Sequence, residues 1–229
     1  MKQKRHKTRM RLGIFGVVVL GVMMISGAAL AHGTALDGPD PAIWLSDPDG
    51  IDGDSGIEQG DPVVGSSGTA TVKGHHATIR IKATGLVPGH AYTLWVVYFN
   101  DQKLCIDGCN GPDFAAAGGG VIWGAGKIAN HHGNATFTAK LTTGDGAGYV
   151  GDTPPPPYAV AAFEAGLDNE FHVVVRSHGP QIEGQVHEQL TTFGGGCEIG
   201  VGPKPEQIGD FPVPSAPGEC GNVQLYAFK

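Results

Sequence analysis

Alternation of apolar and polar residues marks the middle of the chain. In residues 77–83, Ile79 and Ile81 fall on one side of the pattern and Arg80 and Lys82 on the other. This period of two predicts a half-buried β-strand. Residues 92–99 are instead almost all apolar or aromatic, which is typical of a central strand covered on both faces.

The same patterns predict a chain made of short strands. Further strands are expected at 69–73, 121–129, 135–141, 171–177 and 222–228, while 186–193 fits a short helix or a strand. We expect 121–129 and 135–141 to pair as a hairpin around His132-Gly133. Seven or eight strands with turn signals between them predict an all-β fold, a single antiparallel β-sandwich of Ig-like or Greek-key type with long Gly- and Pro-rich loops. A closed β-barrel is the alternative.

The N-terminal pattern is that of an export signal. Six Lys or Arg precede an apolar run at 12–30, which ends in the small-x-small sequence Ala29-Leu30-Ala31. We therefore expect a signal peptide at 1–31, an acidic, turn-rich arm with little packing of its own at 32–67, and the sandwich at 68–229. The predicted location is secreted, periplasmic or in the cell envelope. The run is also long enough to span a bilayer, so a retained anchor is the alternative.

Charge changes once the signal is removed. The remaining chain has nine Lys and Arg against 22 Asp and Glu, a net charge of −13. Such an excess of negative charge repels nucleic acid and anionic lipid. We expect no nucleic-acid partner, a membrane contact only if the signal is retained, and a small molecule, glycan or envelope component as the partner.

Four cysteines follow the signal, and an even number in an oxidising compartment predicts disulfides. Three pairings are open, and the simplest joins the cysteines nearest in sequence: Cys105 with Cys109 and Cys197 with Cys220.

Histidines provide the candidate metal ligands. Cleavage after Ala31 would make His32 the terminal residue, where its amine and imidazole can chelate copper. This end resembles that of exported copper oxidases acting on polysaccharides and of some periplasmic copper carriers, although the resemblance covers only Ala31-His32-Gly33. The candidate set, chosen because its other members lie near strand ends, is His32, His90, His172 and His178.

Two further hypotheses use charged groups. Residues 172, 176 and 178 share one face if their strand is extended, so His90, His172, Arg176 and His178 could together form an enzyme site. The turn-rich arm also contains carboxylates that could bind calcium, although the spacing does not fit an EF-hand. These are Asp47, Asp49, Asp52 and Asp54.

No catalytic motif supports an enzyme. The chain contains neither His-Glu-x-x-His nor Gly-x-Ser-x-Gly. The leading prediction is an exported, non-enzymatic β-sandwich that acts as a binding or structural module, without a cofactor. The alternative is a copper-binding protein or oxidase using a histidine brace at His32.

Several separated motifs resemble one family of proteins. They are GLVPGHAYTLWVVYFN at 85–100, the pair Cys105 and Cys109, EFHVVVRSHGP at Glu170–Pro180, and QLTTFGGGC at 189–197. Together they resemble a family of exported bacterial and archaeal proteins that has no established activity. The resemblance covers about residues 68–228 and implies a compact exported domain.

Overall fold

A computed structural model describes most of the chain beyond the predicted signal. The described residues are 33–39, 41–48, 57–106, 108–146, 161–197, 206–208, 211–213 and 220–229. They contain eleven strands, one short helix and two 3-10 turns, Gln102–Leu104 and Gly111–Asp113. The strands and the helix are β1 Thr34–Ala35, β2 Ile43–Trp44, β3 Ser67–Lys73, β4 His76–Ala83, β5 His90–Phe99, β6 Gly119–Ile128, β7 Ala135–Thr142, β8 Glu170–Pro180, α1 Val186–Thr191, β9 Glu206–Ile208, β10 Phe211–Val213 and β11 Cys220–Phe228.

Two antiparallel sheets form the body of the fold. One has four strands in the order β1-β3-β4-β7, and the other has five in the order β2-β11-β8-β5-β6. The strands β9 and β10 form a separate pair. One large apolar core contains side chains from both sheets, and the described strands do not close into a barrel. The predicted antiparallel β-sandwich is confirmed.

One face of the four-stranded sheet is buried in the core, and the other face is exposed to solvent. In β4, Ile79 and Ile81 are fully buried while Arg80 and Lys82 are exposed, as the alternation predicted. Ile81 lies opposite Phe137 of β7, which is also buried. Burial of side chains of this size stabilises the fold by about 1.5–3 kcal/mol each, and this fixes which face of the sheet meets the core.

The five-stranded sheet is covered on both faces at β5. Residues 91–99 are all buried, as predicted. Leu94 and Val96 point into the core between the sheets, whereas Trp95 and Phe99 point outward. Segments that follow β5 and β8 in sequence cover this outer face, which explains why the strand has no polar alternation.

The predicted hairpin between residues 121–129 and 135–141 is wrong. β6 pairs with β5, and β7 pairs with β4 in the other sheet. The chain crosses between the sheets at Gly133, whose φ of 70° favours glycine and whose carbonyl accepts a hydrogen bond from the Leu86 amide. Both strands bury side chains in the same core from opposite sides, for example Ile122 and Phe137.

The N-terminal arm is packed against the domain where it is described. β1 pairs with β3 in one sheet, and β2 pairs with β11 in the other. Trp44 is only 6% exposed and belongs to the core. The sequence predicted an arm with little packing of its own that Trp44 could dock onto the domain. It did not predict β1 and β2, because two-residue strands leave no periodic pattern to read.

Both predicted disulfides are present. They join Cys105 to Cys109 and Cys197 to Cys220, with Cα–Cα distances of 4.9 and 5.8 Å. Among the described residues, no helix has the length and apolar character needed to cross a membrane.

Candidate functional site

The outer face of β8 carries three of the residues that the sequence proposed for a site. His172 and Arg176 share this face with His178, as the extended strand predicted. The side chain of His172 lies 2.7 Å from the buried carboxylate of Glu170 and packs its ring on Phe99. The residues that His172 contacts therefore lie at the N-terminal end of β8.

These histidines do not meet in one site. Six residues separate His172 from His178, which corresponds to about 20 Å along an extended strand. His178 contacts Thr93 and Gly195, neither of which is a neighbour of His172. His90 begins β5 opposite Pro180. A single enzyme site that contained both His172 and His178 would need a substrate that spans this distance of about 20 Å.

His178 forms the centre of a directed chain of hydrogen bonds. The Trp95 indole can only donate, and it donates to the Thr93 hydroxyl at 2.9 Å. That hydroxyl in turn donates to Nε2 of His178 at 2.8 Å, so Nδ1 carries the proton and donates to the Gly195 carbonyl at 2.8 Å. Burial, reinforced by the positive charge of Arg176, lowers the pKa of His178 to about 3. The imidazole is neutral at physiological pH.

Cys197 and Cys220 lie beside His178, with Sγ of Cys197 3.8 Å from Nδ1. The three potential ligand atoms are within 4.8 Å of one another. The two sulfurs are bonded to each other, however, so they offer no thiolate to a metal. The cluster instead attaches residues 181–197 to the sheet.

Arg176 holds the same segment a few residues earlier. Its Nε donates to the Phe193 carbonyl at 3.0 Å, and one Nη donates to Asn222 at 3.3 Å. The guanidinium carbon lies 4.1 Å from the centre of the Phe193 ring, in the geometry of a cation–π contact. Arg176 is 1% exposed, so its charged guanidinium interacts with groups of the fold itself.

Helix α1 is fixed by the fully buried side chain of Gln189. The Gln189 amide donates to the carbonyls of His178 and Pro180, both at 2.9 Å, and its oxygen accepts from the Ile182 amide. A six-residue helix has little stability alone. These bonds therefore define the position of α1 beside β6.

The remaining candidate ligands lie mostly outside the described residues. These are His32 and the acidic residues Asp49, Asp52 and Asp54. Asp47, the fourth member of the proposed calcium set, is described and is 1% exposed. The copper and calcium sites stay predictions.

An open groove of about 490 Å³ lies between α1 and the edge strands β6 and β7. We call it the Trp123 groove. Its lining comes from both sheets and from the helix. Besides Ala125, Leu190 and two glycines, it contains Trp123, Lys127, Thr136, Thr138, His187 and Thr191.

Trp123 is the exposed aromatic residue of this groove. Its side chain is 41% exposed, and its indole Nε1 donates to the Leu190 carbonyl of α1 at 3.0 Å. One edge of the ring is thus anchored while the other part meets solvent. The close approach of α1 requires glycine at 126, since a Cβ there would overlap the Leu190 carbonyl.

Five other lining side chains supply hydrogen-bonding groups. Three threonine hydroxyls can both donate and accept, and Lys127 and His187 add nitrogen donors. No Asp or Glu is among the lining residues that the structure describes. An apolar ring surrounded by hydroxyls suits a ligand that has both a C–H surface and many hydroxyl groups.

The sequence hypotheses did not include Trp123. A signal was present in Gly119-Gly-Val-Ile-Trp-Gly-Ala-Gly126, where a tryptophan stands in a strand that contains four glycines. Its exposure depends on β6 being a sheet edge, and sequence alone did not reveal that.

A comparison with known protein families, curated proteins and solved structures finds no match to this chain.

Proposed function

We propose that this chain is an exported, non-catalytic β-sandwich module that binds a glycan in the Trp123 groove. The observation that carries the proposal is the half-exposed Trp123 ring, held at one edge by Leu190 and flanked by hydroxyl groups. An indole fixed in this way presents an apolar face without further loss of side-chain freedom on binding.

A glycan fits the chemistry of this groove better than a purely apolar ligand. A sugar ring offers a C–H surface to an aromatic face, and its hydroxyls pair with the side chains around it. Thr136 and Thr138 lie two residues apart on β7 and are both exposed, so their hydroxyls are spaced about 6.6 Å apart along the strand. A chain of sugars can meet both.

Binding without cleavage is supported by the absence of acids from the described lining. Most glycoside hydrolases need two carboxyl groups that flank the scissile bond. The described lining contains basic and hydroxyl side chains instead. The two disulfides suit an oxidising, extracellular location, where glycans are abundant.

The test is a Trp123→Ala variant titrated against a panel of cell-wall and matrix polysaccharides by affinity electrophoresis and calorimetry. We expect binding to at least one polymer and a loss of about tenfold in affinity for the variant, since a central aromatic contact is worth more than about 1 kcal/mol. Leu167→Ala is the control, because Leu167 is 58% exposed and is not part of the groove. Equal affinities of Trp123→Ala and the parent protein would refute the proposal.

A further inference from the structure

On the solvent face of the four-stranded sheet, β3, β4 and β7 carry only hydroxyl and basic side chains. Each of these strands contributes four outward positions, and every one is Ser, Thr, Lys, Arg or His. We call this surface the basic face. Its basic members are Lys73, His76, Arg80, Lys82 and Lys140.

Strand register arranges these side chains in rows across the sheet. Arg80 lies between Thr69 and Thr138, and Lys82 lies between Ser67 and Thr136. Strand spacings of about 4.8 Å and repeats of about 6.6 Å make the face about 10 Å wide and about 20 Å long. Every row contains at least one basic side chain and at least one hydroxyl.

The charge of this face is opposite to that of the chain. After residue 31 the sequence has nine Lys and Arg against 22 Asp and Glu. Four of the nine lie on the basic face, and β3, β4 and β7 contain no acid. Arg80 and Lys82 face hydroxyl side chains across the strands and no acids, which leaves their positive charge available to an anionic ligand.

The basic face is continuous with the Trp123 groove. Thr136 and Thr138 are outward residues of β7 and also line the groove. The groove adds another cation, Lys127. A ligand seated on Trp123 would therefore reach Arg80 and Lys82 by crossing a single strand.

We propose that the glycan is an acidic polysaccharide whose carboxylates pair with the basic face while one sugar unit packs on Trp123. This inference rests on the proposed function and adds the chemical class of the ligand. Arg80 can bind a carboxylate through two parallel hydrogen bonds. The threonines between the cations pair with the neutral hydroxyls of the same polymer.

Other polyanions fit this surface less well. Single-stranded nucleic acid is held by stacking of successive bases on several aromatic side chains. The basic face has none, and the described groove lining adds one tryptophan, Trp123. An anionic membrane is bound by apolar residues inserted among basic ones, and the outward positions of these strands contain no large apolar side chain.

The experiment compares carboxylated polysaccharides with the same polymers after reduction of their carboxylates to alcohols. Polygalacturonate, alginate and hyaluronate are titrated against the full chain. Arg80→Gln/Lys82→Gln removes two charges from the face. Lys103→Gln/Lys229→Gln removes two exposed charges from outside the three strands and gives the same net charge.

We expect the carboxylated form of at least one polymer to bind about tenfold tighter than its reduced form. Each exposed ion pair is worth up to about fivefold in affinity, so Arg80→Gln/Lys82→Gln should lose up to about 25-fold while the matched control stays near the parent. Higher salt should weaken the parent more than the double variant.

Each negative result of this binding experiment overturns a different part of the account. Equal affinity for the carboxylated and reduced polymers, with binding still lost in Trp123→Ala, would overturn the acidic ligand and leave glycan binding intact. Absence of binding to every polymer in both forms would overturn the proposed function together with this inference. Tighter binding of single-stranded DNA than of any acidic polysaccharide would overturn the choice of polymer.

Discussion

The indole Nε1 of Trp123 and the backbone carbonyl of Leu190 are joined by a 3.0 Å hydrogen bond between an edge strand and a short helix. This bond unites two parts of the chain that are 67 residues apart. It fixes the ring and, with it, the wall of the Trp123 groove. Arg176 and His178, which the sequence offered as groups of an enzyme site, hold the segment that directly follows the same helix.

Gly126→Ala should damage the groove without removing any side chain from it. A Cβ at 126 would overlap the Leu190 carbonyl, so α1 must move away from β6. Overpacking of this kind costs about 1–3 kcal/mol, to be measured by urea denaturation, and we expect weaker glycan binding. Gly166→Ala is the matched control, since a Cβ there meets nothing within 4 Å. Equal stabilities of the two variants would contradict the packing of α1.

His178 should make the fold less stable in acid. Its pKa is about 3 in the folded chain and about 6.5 when unfolded. Between these values the unfolded chain binds a proton that the folded chain does not, so stability falls as pH drops from about 6.5 toward about 3. The slope from one group is at most about 1.4 kcal/mol per pH unit.

His178→Gln should remove this contribution from the curve of unfolding free energy against pH. The comparison with the parent isolates one group from the many carboxylates that also titrate. His75→Gln, at an exposed position in the turn between β3 and β4, should keep the slope of the parent. A parent-like slope for His178→Gln would show that the buried imidazole does not control acid stability.

The two disulfides should differ in importance. Cys197–Cys220 closes a loop with a separation of 23 residues, against 4 for Cys105–Cys109. Loop-closure entropy gives about 3 kcal/mol for the longer loop and about 2 kcal/mol for the shorter one. Cys197→Ser/Cys220→Ser should be the less stable variant in chemical denaturation.

Only the loss of Cys197–Cys220 should also weaken glycan binding, because that bond attaches the segment carrying α1. Cys105→Ser/Cys109→Ser, its matched partner, should bind like the parent under conditions where both variants are folded. Equal losses of affinity would mean that the disulfide does not position the groove.

Local pattern predicted much of the fold. The alternation at Ile79 to Lys82 predicted β4, and the apolar run at 92–99 predicted β5. Both predictions were possible because the burial of a strand's own faces sets its pattern of apolar and polar residues. The pairing of β7 with β4 was missed, since a two-residue turn signal at His132-Gly133 says nothing about which sheet the next strand joins. The strands β1 and β2 of the arm were not predicted, because two residues are too few to show an alternation of apolar and polar positions.

The candidate site depended on longer-range information. The histidines of β8 were placed on one face correctly, but their partners, such as Gly195 and Glu170, decide what they do. Trp123 and the basic face follow from strand order: β6 must be an edge, and β3, β4 and β7 must be neighbours. Sequence periodicity gives the face of each residue and not the neighbour of each strand.

Fluorescence quenching by acrylamide gives the most direct test of glycan binding at Trp123. The other two tryptophans, Trp44 and Trp95, are 6% and 4% exposed, against 41% for Trp123. Quenching therefore reports mainly on Trp123. A saturating polysaccharide should protect the parent protein from acrylamide and leave the residual quenching of Trp123→Phe unchanged. Binding of the polysaccharide with no change in the quenching of the parent would show that the ligand does not contact Trp123.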